Sequence, residues 1–238
     1  MNLKIGSVFP NLLNLFGDRG NILTLAKRLE WRKINYEILQ YRPGNKIDFS
    51  RLDIVYIGAA LGKEQLLACE LLKKQKDELN AYIQNGGVVL AVCGGFELLG
   101  HYYKNKEELI EGVALLDIFT ESSNKKFVGN IIIKSDFLNR EIVGFENHNG
   151  QTIIGNNTPL GNVIYGHGNN GKDKTEGVIY KNLFGTNLHG PLLPKNPHLC
   201  DYILKKALGL RYGNVDLKQL DDSAELAANE YILKRFGK

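Results

Sequence analysis

Apolar positions in this chain come in short unbroken or alternating runs, set between segments of helical period. Residues 3–9 form an apolar run that predicts a buried strand, ended by Pro10. A turn-rich stretch follows, and Asp18 or Asn21 is placed to cap a helix carrying Leu25, Leu29 and Ile34. Residues 36–41 alternate as a second strand, broken by Arg42-Pro43-Gly44-Asn45. Residues 53–58 predict a third, ending in the small-residue turn Gly58-Ala59-Ala60-Leu61-Gly62. Residues 64–84 have the period of one long amphipathic helix, with Leu67, Leu71 and Leu79 on its buried face, stopped by Gly86-Gly87. Val88-Val89-Leu90-Ala91-Val92 is apolar throughout, as a parallel strand covered on both faces is.

This alternation predicts an α/β fold with a largely parallel sheet, flanked by helices and joined by right-handed crossovers. Ligand sites in such sheets lie at the carboxyl ends of the strands. The 58–62 turn and Cys93 both fall at such ends. From Gly112 to Phe184 the pattern changes to short strand-like runs at 130–134, 141–145, 151–154 and 162–165, punctuated by Gly, Asn and Asp. Mixed or antiparallel β structure is expected there. Residues 183–188 predict a last strand that delivers His189, and an apolar face of Leu199, Ile203, Leu204 and Leu208 predicts a helix after Pro197. We read residues 1–238 as one domain, with a C-terminal helical extension from about residue 212 that includes an amphipathic helix over 223–235.

With 238 residues, 43% of them hydrophobic, the chain can bury one large core without disulfide or metal staples. The formal charge of +4 comes from scattered lysines with no stripe of arginines and aromatics, so nucleic acid is not an expected partner. Three cysteines without a CxxC spacing argue against a disulfide framework and a zinc ribbon. The N-terminus lacks a signal-peptide pattern and no apolar run nears a membrane span, so a cytoplasmic protein is expected.

The chemistry concentrates at Cys93-Gly94-Gly95-Phe96-Glu97-Leu98-Leu99-Gly100, where a buried strand ends in a cysteine and a helix begins. A tight strand-to-helix turn lifts a nucleophile clear of the sheet. The helix N-terminus behind it favours thiolate, which predicts a lowered Cys93 pKa. The two glycines keep side chains out of a substrate's way, and the Gly94 N–H is free to face an oxyanion. Cys69 is expected in the core, and Cys200 has no evident role. Amide chemistry also needs a group that takes the thiol proton and returns it to the leaving amine. His189, at a second strand end before Gly190-Pro191, is the candidate; His148, in the polar stretch Glu146-Asn147-His148-Asn149-Gly150, lines a pocket or builds a turn. Gly166-His167-Gly168-Asn169-Asn170-Gly171 matches GxGxxG but no helix pattern follows, so the dinucleotide reading fails.

These stretches, with Leu13-Asn14-Leu15-Phe16-Gly17-Asp18-Arg19-Gly20-Asn21-Ile22 and Thr186-Asn187-Leu188-His189-Gly190-Pro191-Leu192-Leu193-Pro194, resemble the cobyric-acid-synthase-like class I glutamine amidotransferases. The resemblance implies a flavodoxin-like fold, Cys93 as nucleophile and His189 as base. It points further to the glutaminase subunits of lipid II isoglutaminyl synthases. Such a subunit holds no cofactor itself and passes ammonia to a MurT-type Mur ligase subunit, which uses ATP and Mg to amidate the D-glutamate of lipid II. Gly94 and Ala59 are the expected oxyanion donors. Pro191 stands where many class I amidotransferases have a triad glutamate, which implies a dyad or a different third residue. Lys126 stands where relatives place a substrate-holding arginine in a turn before Gly129, keeping the charge but losing the planar fork. Two other readings remain: a glutaminase subunit serving another synthetase, such as one of cobalamin side-chain amidation, and a cysteine-elbow α/β protein without glutaminase activity.

Overall fold

The computed structural model describes residues 1–104 and 108–237. The first half of the chain alternates strands and helices: β1 (Asn2–Val8), α1 (Arg19–Trp31), β2 (Asn35–Tyr41), β3 (Ile54–Ile57), α2 (Gly62–Lys73), α3 (Lys76–Gln84), β4 (Val88–Val92) and the single turn α4 (Gly94–Glu97). A β-rich stretch follows, with β5 (Tyr102–Lys104), β6 (Leu109–Glu111), β7 (Phe119–Lys134), β8 (Ile142–Ile153), β9 (Gly161–Tyr165) and β10 (Thr175–Glu176). β11 (Val178–Tyr180), β12 (Leu183–Thr186), α5 (Pro197–Tyr212) and α6 (Ser223–Phe236) complete the fold.

Two sheets result. The first has the order β11-β12-β4-β3-β1-β2 and is parallel except for β11. Every residue of β3 and β4 is buried, which is why both lack polar alternation. The second sheet runs β10-β9-β7-β5-β6, with β8 paired along β7. The expected largely parallel sheet flanked by helices is therefore found, and the β-rich middle forms a separate, mainly antiparallel sheet laid over its carboxyl end.

Three local expectations give way to tertiary contacts. The long helix over 64–84 is two helices, broken at Gln75, whose backbone leaves the helical region (φ −126°, ψ 24°). The Gln75 side-chain oxygen accepts the Ile47 N–H at 2.6 Å, and the break lets Ala68, Cys69 and Leu72 pack from one piece and Leu79 and Ile83 from the other. Leu67, assigned to the buried face, is exposed. Neither Asp18 nor Asn21 caps α1 through its side chain: Asp18 turns inward to Ala59, and Asn21 is buried against Tyr56 and Leu193. The polar stretch around His148 is the middle of β8 rather than a turn, with Gly144, Glu146, His148 and Gly150 alternating onto its buried face.

The C-terminal extension docks onto the domain. Buried Arg28 on α1 bridges Asp201 of α5 (2.7 Å from both Nε and Nη2) and Asp222 at the start of α6 (2.6 Å). Asn229 of α6 is buried and donates to the carbonyls of Glu141 and Lys195. Among the described residues, no helix is long and apolar enough to cross a membrane.

Candidate active site

Cys93 sits on the sharp turn between β4 and α4, with φ 49° and ψ −119°. Non-glycine residues avoid this region at a cost of about 1–3 kcal/mol, and such strain persists only where the surroundings over-determine it. Here the Cys93 N–H donates to the Thr186 carbonyl of β12 at 2.7 Å, and its own carbonyl accepts the N–H groups of Phe96 and Glu97. Gly94 and Gly95 serve this packing. A Cβ on Gly94 would lie 2.1 Å from the Ala60 carbonyl oxygen, and one on Gly95 would lie 2.4 Å from that of Gly58. Their want of side chains thus makes room for the turn after β3, not chiefly for a substrate.

The same turn changes the oxyanion donors. The Ala59 N–H, expected to be free, is bound by the buried carboxylate of Asp18 at 2.5 Å. The next N–H, of Ala60, has no hydrogen-bond acceptor among the described residues, and its nitrogen is 3.1 Å from the Cβ position of Gly94. The Gly94 N–H faces the Cys93 sulfur.

His189 reaches the site because β12 runs beside β4 in parallel, with Thr186 paired to Val92. Neighbouring strands lie about 4.8 Å apart, so the residues that follow both strands share one space. The backbone of His189 is clamped by reciprocal bonds to Phe145 of β8 (3.0 and 3.2 Å). The Asn147 backbone carbonyl lies beside its imidazole and favours the charged form, and Nε2 is buried without a partner. A ring whose one nitrogen donates to a carbonyl presents a lone pair on the other, so Nε2 is set to accept a proton. The Asn147 carbonyl is thus the group beside the imidazole that opposes the effect of burial. Pro191 instead packs against Gly20, where a Cβ would lie 2.4 Å from its ring.

The electrostatics overturn the expected low thiol pKa. Burial pushes the Cys93 thiol well above the ordinary cysteine value; Glu97 and Asp18 add to this, and the Gly94 N–H opposes it. α4 is a single turn, so its dipole is small against the loss of water. Burial holds His189 down, to a pKa of about 4. Thiol and imidazole are therefore both neutral at rest. The carboxyls around them are also shifted toward the neutral form: burial raises Asp18 and Glu176 to about 7, and raises Glu97 as well.

Lys126 is not brought to this centre by any described contact. It is exposed on β7, in the irregular stretch between Ser122 and Phe127, so the expected turn before Gly129 is strand. His101 pairs with Asp117 at the surface, and His167 pairs with Glu146 at 2.8 Å. The GxGxxG stretch forms a turn whose N–H groups hold Glu146. Sequence reasoning missed the Phe16–Asp18 loop, the Asn147 carbonyl and Glu176 as parts of the site. The Leu13–Ile22 stretch, and the stretch around His148 for Asn147, carried a signal as parts of the resemblance; Glu176 carried none. A cavity of about 1210 Å³ opens among Lys4, Asp53 and Gly87 at the opposite, amino end of the strands, away from this chemistry.

A strand-end cysteine in a strained turn and a strand-end imidazole define an amidotransferase-type centre. Accordingly, the chain belongs to the CobB/CobQ-like glutamine amidotransferase family, whose domain matches residues 4–197. It is 41% identical over 234 residues to the GatD subunit of the glutamine-hydrolysing lipid II isoglutaminyl synthase of Staphylococcus aureus (strain N315), covering 98% of this chain and 96% of that one. The GatD subunit of Streptococcus pneumoniae (strain ATCC BAA-255 / R6) is 38% identical over 231 residues, covering 94% and 89%. A crystal structure of a glutamine amidotransferase superposes with a TM-score of 0.59 at 14% identity, covering 85% of this chain and 98% of that one, a likeness of fold alone.

Proposed function

We propose that this chain is the glutaminase subunit of a lipid II isoglutaminyl synthase, releasing ammonia from L-glutamine for a MurT-type Mur ligase subunit. The observation that carries the chemistry is the neutral Cys93–His189 pair, with its proton acceptor, His189 Nε2, buried and unpartnered. Similarity to two GatD subunits over nearly the whole of both chains supports the particular assembly. It also favours this reading over a subunit of cobalamin-type amidation. In this reading the ligase uses ATP and Mg to activate the D-glutamate carboxylate, no cofactor is bound by this chain, and both subunits work in the cytoplasm.

The reaction runs in two halves. His189 Nε2 takes the Cys93 thiol proton as sulfur attacks the glutamine side-chain carbonyl carbon. The N–H groups of Gly94 and Ala60 receive the oxyanion. As the tetrahedral species collapses, the C–N bond breaks, His189 returns the proton to nitrogen and ammonia leaves, with the glutamyl thioester left on Cys93. Water then attacks the thioester while His189 takes its proton, and glutamate departs as the thiol is restored.

The test is ammonia release from glutamine by the chain co-purified with a MurT-type ligase. Cys93→Ala should remove it altogether, and His189→Ala should lower kcat by at least about a hundredfold. Activity retained by Cys93→Ala would end the assignment. Glutaminase activity without amidation of lipid II would keep the chemistry and remove the cell-wall role.

A further inference from the structure

β8 lays its buried face over the two strand ends that carry the dyad. Two glycines show where that face lands. A Cβ on Gly144 would lie 2.7 Å from the Leu188 side chain, next to His189, and one on Gly150 would lie 2.6 Å from the carboxylate of Glu97, at the end of the Cys93 turn. His148 lies between them on the same face, because side chains alternate along a strand. Its imidazole therefore lies on that buried face, close enough to His189 for its charge to act on that ring.

The ring's hydrogen bonding defines what it offers there. Nδ1 lies 2.8 Å from the Gly150 carbonyl oxygen. A carbonyl only accepts, so Nδ1 carries the hydrogen and Nε2 carries a lone pair. Nε2 is buried, with no hydrogen-bond partner among the described residues, although His148 as a whole is only 4% exposed. The ring edge of Phe127, with centroids 5.5 Å apart and planes at 81°, holds its orientation. Burial lowers the His148 pKa, which keeps that lone pair free of a proton, although the Gly150 carbonyl pulls the other way. Buried acceptors are nearly always satisfied, and the cost of leaving one unmet is removed when a ligand brings an N–H. The two-step mechanism needs no second base.

We propose that His148 binds the substrate, its Nε2 accepting an N–H of glutamine. This rests on the glutaminase reading above. Glutamine offers two such donors, the carboxamide and the α-ammonium group.

The experiment is steady-state glutaminase kinetics on the co-purified two-subunit enzyme. His148→Asn keeps a donor for the Gly150 carbonyl but does not reach the position of Nε2, whereas the side-chain oxygen of His148→Gln does. His148→Asn should raise KM for glutamine about fivefold to tenfold with kcat within about threefold, the loss of one hydrogen bond. His148→Gln should recover most of that loss. Glutaramate, which is glutamine without its α-amino group, separates the donors. Its KM rises equally in His148→Asn if the carboxamide is held, and stays put if the α-ammonium is held. An unmoved KM for glutamine, or a His148→Gln enzyme no better than His148→Asn, overturns the inference while the glutaminase reading stands. If His148→Asn shows no turnover, calorimetric glutamine binding in the Cys93→Ala background decides, and unchanged affinity overturns it. A wild-type enzyme that hydrolyses no glutamine overturns both.

Discussion

Phe16 lies flat on the imidazole of His189, with ring centroids 4.5 Å apart and 11° between the planes. Phe16 holds this position from a left-handed backbone (φ 59°), followed by Gly17 at φ 77°. The same loop sends Asp18 to the Ala59 N–H and the Leu15 N–H to the Ala59 carbonyl. One strained loop therefore touches both sides of the centre, covering the base and occupying an amide beside the nucleophile.

Removing that cover should change the base. In Phe16→Ala, water regains access to the imidazole and stabilises its charged form. The His189 pKa should climb from about 4 toward the ordinary imidazole value, as NMR titration of the ring protons would report. With the ring no longer held in place, kcat/KM for glutamine should fall about tenfold. A His189 titration that does not move would show that Phe16 is not what excludes water.

Glu176 makes stability depend on pH with a definite sign. It is fully buried below β12, accepting from the Thr186 hydroxyl (2.8 Å) and the Asn187 N–H (2.7 Å), and burial raises its pKa from 4.5 to about 7. The folded state therefore binds this proton more tightly than the unfolded chain. Its contribution is fully favourable below the unfolded pKa and is lost as pH rises through the folded one. Glu176→Gln, which still accepts both bonds, should match wild type near pH 4.5. By pH 8 it should be the more stable, by at most about 3 kcal/mol. The comparison is made by denaturant unfolding at the two pH values. The difference between variants cancels the opposite trend of His189 and His198, both held near 4 by burial, which lose stability on acidification. Equal stability at both pH values would refute the buried-carboxyl account.

Arg28 should anchor the C-terminal helix. It is 1% exposed and its guanidinium serves two carboxylates, while Arg32 adds a 2.6 Å bond to Asp201. Arg28→Ala leaves those carboxylates without the shared cation, a loss of about 3 kcal/mol that denaturant unfolding would measure. Limited proteolysis should then cut between α5 and α6 before the rest of the domain is attacked. Resistance equal to wild type would mean that Asn229 and the apolar contacts hold α6 unaided.

Much of the parallel sheet was legible in the chain. β1 to β4 and β12 lie within a residue or two of their expected limits, since β1, β3, β4 and β12 are largely buried apolar runs and β2 alternates, each bounded by turn residues. The Cys93 turn was legible for the same reason: a continuous apolar strand running into two glycines has few other conformations. The break at Gln75 was not legible, because its hydrogen-bond partner, the Ile47 N–H, lies in a distant loop. The span of β8 was misread because Gly144 and Gly150 look like turn residues. Their role is close approach to Leu188 and Glu97, which only the packed structure reveals.

The sequence by itself determined the α/β class, the strand-end placement of Cys93 and His189, and the absence of a glutamate two residues after the histidine. Those features follow from local patterns and backbone preferences. The tertiary structure alone decided that burial keeps the thiol protonated, that the Asn147 carbonyl lies beside the base, that Asp18 occupies the Ala59 amide, and that Lys126 is exposed on β7. Protonation, tautomer and hydrogen-bond partners depend on burial and on groups far away in the chain, and no local pattern of residues carries that information.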